Sequence, residues 1–148
     1  VVFSEYYEDN NRSIYVHAHP INERLTGLEI EEKIHALWRF HVRESPSVEV
    51  LMEVTSQNYL VERLHRKGMR VRECRPKGSK RERLVMAGAP LQGKMVFFPR
   101  TGCEQLRQQL IGFGSERYDD LVDSFSQGLN EIMQTGSNHA DLESHILG

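Results

Sequence analysis

Two runs of β-branched and aromatic residues open the chain, and strand-like and helix-like segments then alternate along it. Val1-Val2-Phe3-Ser4-Glu5-Tyr6-Tyr7 and Ser13-Ile14-Tyr15-Val16-His17 flank Glu8-Asp9-Asn10-Asn11-Arg12, which has turn chemistry. Residues 1–19 therefore predict an antiparallel hairpin. Thr26-Gly27-Leu28-Glu29 is a capping box, and Leu28, Ile30, Ile34, Leu37, Trp38 and His41 recur behind it at helical spacing until Ser45-Pro46-Ser47. Residues 48–54, Val-Glu-Val-Leu-Met-Glu-Val, form a short apolar run that suits a strand buried on both faces. A second helix is expected from near Ser56 to Gly68, a C′ glycine, and residues 69–74 alternate as another strand. Residues 80–90 read as helix, and Gly93 turns the chain into a strand over 94–98. Thr101-Gly102-Cys103-Glu104 has the spacing of a second capping box, opening a helix to about Gly112. After Gly114-Ser115 a last helix runs from about Tyr118 to Met133, and residues 134–148 form a polar tail expected to fray. A hairpin followed by this alternation predicts one α/β domain, a mixed sheet with helices on its faces.

Composition narrows the function. The 148 residues include 39% hydrophobic and 27% charged residues, with a net charge of −2, so any affinity for nucleic acid rests on where charge sits. No apolar run approaches the roughly 20 residues of a membrane-spanning helix, and no secretory leader pattern is present. Two cysteines, Cys74 and Cys103, are too few for a disulfide framework and read as buried thiols of a reduced intracellular protein. Met52, Met69, Met86 and Met95 read as core filler, and His17 and His19 as imidazoles sharing a strand face. Neither a G-x-S-x-G elbow nor a Walker A loop occurs, so the chain is not itself an ATPase.

Charge is unevenly placed. Ten of the 19 basic residues, Arg63, Arg66, Lys67, Arg70, Arg72, Arg75, Lys77, Lys80, Arg81 and Arg83, fall within one window that holds only Glu73 and Glu82. A local surplus of eight positive charges suits a phosphate backbone; the plainer alternative is a solvated helix face and strand edge. Within it, Lys77-Gly78-Ser79-Lys80-Arg81-Glu82-Arg83 sets a Gly-Ser turn among cations, where backbone amides and side chains can meet a phosphate together. The acidic candidates are Glu53, at the end of the apolar strand, and Asp119, Asp120 and Asp123, which open the last helix. Glu53 lies where α/β folds place functional groups, or else simply reaches solvent or caps the next helix. The three aspartates suit helix capping and the macrodipole, yet crowded into one turn they repel each other. A hard divalent cation would offset that repulsion. Carboxylates from a strand and a helix, with a basic tract, point to metal-assisted phosphodiester hydrolysis.

In these motifs the chain resembles the C-terminal nuclease domain of phage large terminase subunits, which has an RNase H/retroviral-integrase-like fold. Tyr118-Asp119-Asp120-Leu121-Val122-Asp123-Ser124 is similar to the family's D-D-x-x-D-A/S signature, and Met52-Glu53-Val54 to its acidic strand end. The stretch from Lys77 to Arg83 is similar to its K-G-x-K-x-x-R motif, and Gly93-Lys94-Met95-Val96-Phe97-Phe98-Pro99 to its G-x-V-x-x-P strand. Residues 106–113 also fit the pattern, and the resemblance spans residues 1–133, leaving 134–148 as tail. It implies an endonuclease that cuts concatemeric viral double-stranded DNA during packaging in the cytoplasm of an infected bacterium. It also implies Mg²⁺ or Mn²⁺ at a two-metal site held by Glu53, Asp119, Asp120 and Asp123, with Asp120 first among the aspartates and Asp123 second. Lys77, Lys80, Arg81, Arg83, Arg66 and Lys67 would hold DNA, and the portal protein and small terminase subunit would be partners. The family's first metal-binding Asp sits on a strand just before the hairpin, and the chain starts past it. The expectation is thus a truncated domain with an incomplete active site. Other readings are a Holliday-junction resolvase-like or other RNase H-fold nuclease, and a non-catalytic DNA- or portal-binding module.

Overall fold

A computed structural model describes residues 1–45, 47–54, 59–113 and 119–147, with side chains described through residue 135. The chain is mixed α/β, and it packs as two compact units, Val1–Asn22 with Lys77–Gly148, and Glu23–Pro76.

In the first unit, β1 (Phe3–Glu8) and β2 (Asn11–Val16) pair antiparallel with Glu8 opposite Asn11. Only Asp9 and Asn10 are left to turn the chain, and both take positive φ, 48° and 64°. That is the geometry a two-residue hairpin loop demands, and Asp and Asn tolerate it better than most side chains. The strands' alternation sends Ile14 and Val16 inward and Tyr15 outward, where it stacks on Phe97 and meets the edge of Tyr6. The third strand, β5 (Val96–Phe97), lies parallel to β2 and is shorter than the 94–98 strand read from sequence.

Three helices complete this unit. They are α3 (Lys80–Gln92), α4 (Glu104–Ile111) and α5 (Asp120–Leu147). Leu121, Val122, Phe125 and Leu129 recur along one stripe of α5 and are buried with Ile14, Val16, Ala87, Cys103 and Leu106. Phe125 is the centre, its ring 5.7 Å from both Phe3 and Phe98. Full burial of such side chains contributes on the order of 1.5–3 kcal/mol each. Helix α5 continues through the residues expected to fray, and its expected start at Tyr118 lies outside the described residues, as does Gly114-Ser115. The capping box read at Thr101 does not form. Helix α4 starts one residue beyond Cys103, which caps without its side chain, and the Glu104 carboxylate instead accepts from the Gly102 amide. His17 and His19 both lie beyond the end of β2 rather than on it; His17 pairs with the Ser4 hydroxyl, and His19 takes φ of 63°.

In the second unit, α1 (Gly27–Val42) begins with the expected capping box, Thr26 and Glu29 exchanging hydrogen bonds. Strands β3 (Glu49–Glu53) and β4 (Arg70–Cys74) are parallel, joined by α2 (Tyr59–Arg66). The expected start of α2 at Ser56 lies outside the described residues. Its end is as read: Gly68 takes φ of 87° while the Met69 amide returns to the Leu64 carbonyl. Strand β3 is only half-buried in its middle and exposed at both glutamates, so it is not covered on both faces. The single mixed sheet expected from sequence is therefore two small sheets in the described residues, β1-β2-β5 and β3-β4. Met69 is buried, but Met86 is exposed and fills no core. Both cysteines are buried thiols, and burial pushes the Cys103 thiol up from its ordinary value. No described helix is long and apolar enough to cross a membrane.

Candidate metal and nucleic-acid site

The acidic turn of α5 and the basic start of α3 face each other within the first unit. Helix α3 starts where it does because Ser79 and Glu82 form a reciprocal capping box. The Ser79 hydroxyl accepts from the Glu82 amide, and the Glu82 carboxylate accepts from the Ser79 amide at 2.6 Å. These bonds hold the Glu82 carboxyl below its usual range. Gly78 precedes the cap with φ of 71°, a backbone conformation that favours glycine, and a Cβ there would sit 2.5 Å from the Glu82 carboxylate oxygen and push it off the cap. The Gly-Ser turn read as a phosphate cradle is thus first a helix cap, with the Ser79 amide already occupied.

The cap aims two cations at α5. Arg83, buried, donates through Nε and Nη2 to Asp123 Oδ1 at 2.9 and 2.7 Å, and through Nη1 to the Gly78 carbonyl at 2.7 Å. Gln127 donates to the other Asp123 oxygen at 3.2 Å, and Asn130 donates to the Arg83 carbonyl at 3.0 Å. With side chains only 9% and 14% exposed, Arg83 and Asp123 form a buried strut between α3 and α5. One turn earlier, Lys80 Nζ meets Asp119 Oδ1 at 2.7 Å, with side chains 46% and 27% exposed. The hydrogen bond to Asp119 raises the Lys80 ammonium above its ordinary value, and the charges of Asp119, Asp123 and Asp120 add to the effect. Asp120 is exposed and takes no ion pair among the described residues.

The Asp119 side chain does not cap α5. The amides of Leu121 and Val122, in the first turn of α5, donate to Gln109 Oε1 at 3.1 and 3.2 Å. Gln109 comes from α4 and is 4% exposed. A side chain of another helix therefore satisfies donors that Asp119 was placed to serve. The carboxylate of Asp119 is left to its lysine. Sequence reading missed Gln109 entirely, and its only local signal is a polar residue on the helix face between Leu106 and Leu110.

The rest of the basic window divides in two. Arg63 and Lys67 bind Glu31 at 2.6 and 3.0 Å, joining α2 to α1 around a carboxylate that is only 3% exposed. Arg72 and Arg70 reach Glu49 at 2.8 and 3.8 Å. With Lys80 and Arg83, six of the ten cations are spent on carboxylates outside the window. Arg66, Arg75, Lys77 and Arg81 are exposed and make no ion pair with a described residue. Of the residues read as DNA contacts, Lys77 and Arg81 belong to the first unit, with Lys80 and Arg83, whereas Arg66 and Lys67 belong to the second. Glu53 also belongs to the second unit, exposed at the C-terminal end of β3 opposite Cys74.

The donor set on α5 is oxygen only, which suits a hard cation rather than a soft one. Asp119 and Asp120 can turn toward such an ion, while both oxygens of Asp123 are already engaged. Among the described residues, no three His, Cys, Asp or Glu side chains are grouped to hold a metal. No protein-family model, curated protein or solved structure matches the chain.

Proposed function

We propose that this chain is a divalent-metal-dependent DNA endonuclease domain of the phage terminase type, with an RNase H-like fold. The observation that supports the reading best is the release of Asp119 from helix capping by Gln109, which leaves its carboxylate on Lys80 beside the exposed Asp120. An Asp119 that capped the helix would be found on its amides; it is found on Lys80. Asp119 and Asp120 are the candidate holders of Mg²⁺ or Mn²⁺; Glu53, on the second unit, is a ligand only by the family resemblance. When bound, such ions supply an activated water and stabilise the attacking and leaving oxygens of a phosphodiester.

The other residues have separate tasks. Arg83 and Asp123 fix α3 against α5, so Asp123 acts as a positioning residue rather than a ligand. Lys77 and Arg81 bring positive charge to a DNA strand from the exposed start of α3. The family's partners, a portal protein and a small terminase subunit, and its setting in an infected bacterium belong to this same proposal.

Nicking of supercoiled plasmid tests it. The expected result is Mn²⁺-dependent nicking that vanishes in Asp120→Asn while the melting temperature stays put. Persistent nicking in that variant refutes the Asp120 assignment. A chain that binds duplex DNA yet neither binds Mn²⁺ nor nicks is a DNA-binding module instead, and a preference for four-way junctions over plain duplex marks a resolvase-like enzyme.

A further inference from the structure

The outward face of the first unit's sheet carries a row of aromatic rings. Tyr6, Tyr15 and Phe97 come one each from β1, β2 and β5, and all three are exposed. The register sets Tyr15 beside Phe97, and their rings stack at 5.1 Å with planes 20° apart. Tyr6 meets Tyr15 edge-on at 5.5 Å. Single exposed apolar side chains are ordinary on a protein surface, but three in mutual contact form a patch of the kind that binds something. The alternation that sends Ile14 and Val16 into the core turns Ser4, Glu8, Ser13 and His17 outward. With Tyr6 and Tyr15 they line a groove of about 500 Å³, in which Ser4 and His17 share a hydrogen bond of 2.6 Å.

Two features say what the partner is. The stack is open, because β5 is an edge of the sheet and Phe97 has no second ring against it among the described residues. A flat π-system can continue the stack there, as every nucleobase can. The charge at that edge is positive. Lys94 stands two residues before β5 and Arg100 three after it, both exposed and without an ion pair to a described residue. The groove's carboxylate, Glu8, lies on the opposite edge strand, beside the hairpin turn. Rings flanked by unpaired cations suit a chain in which planar groups alternate with phosphates. In a duplex the base faces are already stacked on one another, so the chain that fits is a single strand.

We propose that this face binds single-stranded nucleic acid, with bases stacking on Phe97 and Tyr6 and with Lys94 and Arg100 meeting the phosphates. The site shares no residue with the α3–α5 carboxylates and stands whether or not the chain is a nuclease. The test is fluorescence anisotropy of a labelled oligothymidylate with the full chain in EDTA, for wild type, Phe97→Ala, Phe97→Tyr and Tyr6→Ala. Each alanine variant is expected to bind about tenfold more weakly, the size of one lost base–aromatic stack, and Phe97→Tyr to stay within about twofold of wild type. Tyr6 is the most exposed of the three, so its removal reads the platform even where Phe97→Ala harms folding. Replacing Lys94 and Arg100 together by Gln is expected to flatten the log–log salt slope by roughly 1.4. An abasic strand, which keeps the phosphates, is expected to bind wild type at least about tenfold more weakly than oligothymidylate. Wild-type affinity in both alanine variants, or equal affinity for the abasic strand, overturns the proposal. A wild type that sediments as a dimer, and as a monomer once Phe97 is Ala, assigns the face to a second copy and overturns it too. No arm contains metal, so failure here leaves the nuclease reading as it was, and failure of that reading leaves this one.

Discussion

Replacing Gln109 by leucine tests the step on which the functional reading turns. The side chain is almost wholly buried, and its one carbonyl oxygen accepts from two amides of α5. Leucine is of similar size, so little cavity forms, and the effect falls on the two N–H groups. Each hydrogen bond contributes about 1 kcal/mol net, and a buried donor left without a partner costs roughly 1–3 kcal/mol. If Asp119 swings round to cap one of them, as aspartate does at a helix start, about half of that is recovered. The expected loss is therefore about 2–3 kcal/mol, read from urea unfolding followed by circular dichroism. Asp119→Ala alone forfeits only a half-exposed ion pair and is expected to cost less than about 1 kcal/mol. In the Gln109→Leu background the same change is expected to cost more, because Asp119 has by then become the cap. The reasoning is refuted if Gln109→Leu stays within about 0.5 kcal/mol of wild type, the range of a neutral surface change. It is equally refuted if Asp119→Ala is the costlier single substitution, since Asp119 would then be capping the native helix.

Other consequences can be checked in the same protein. Arg83→Met strands the Asp123 carboxylate and is expected to cost about 3 kcal/mol in urea unfolding, most of it recovered in the double variant with Asp123→Leu; strict additivity would dismiss the strut. Replacing Lys77 and Arg81 together by alanine is expected to weaken duplex binding and flatten its log–log salt dependence by roughly 2, whereas Lys67→Ala leaves the slope alone because Glu31 already holds that lysine; an unchanged slope in the first variant refutes the phosphate role. Glu31 titrates low because Lys67 donates to it and Arg63 lies beside it, so its folded form binds its proton less readily than the unfolded chain. Its stabilisation is then present above the ordinary glutamate value and lost as pH falls through the depressed one, and the melting-temperature gap between wild type and Glu31→Gln is expected to close from pH 7 to pH 3. A gap that stays constant over that range excludes the pair as a stabilising contact.

The elements most legible in the sequence are those whose causes are local. The hairpin follows from alternation on either side of Asp9-Asn10, the start of α1 from Thr26 and Glu29, the end of α2 from Gly68, and the stripe of α5 from residues one and four apart. Spacing alone misleads where two arrangements share it. Thr101-x-x-Glu104 and Ser79-x-x-Glu82 carry the same capping signature, yet only the second forms. At the first, Gly102 takes φ of 91° and brings its own amide onto Glu104, so the chain turns before Thr101 can cap. At the second, Ser79 and Glu82 cap the helix among cations whose spacing also suits a phosphate, and the two signals overlap.

The same ambiguity governs the aspartates, and there no local rule resolves it. Asp119, Asp120 and Asp123 read equally as a helix start and as a metal-binding turn, and whether Asp119 caps depends on whether the first amides of α5 have another acceptor. That acceptor is Gln109, 12 residues before Leu121 and on a different helix, placed by the packing of Leu106 and Leu121 into one core. Charge counting fails for a similar reason. A surplus of eight along the chain says nothing of Glu31, Glu49, Asp119 and Asp123, which lie outside the window and bind six of its cations. Of the window's cations in the first unit, Lys77 and Arg81 are the two with no ion pair among the described residues. In the proposed nuclease, duplex DNA contact in this unit rests on a small exposed patch at the start of α3 and not on a uniformly basic face.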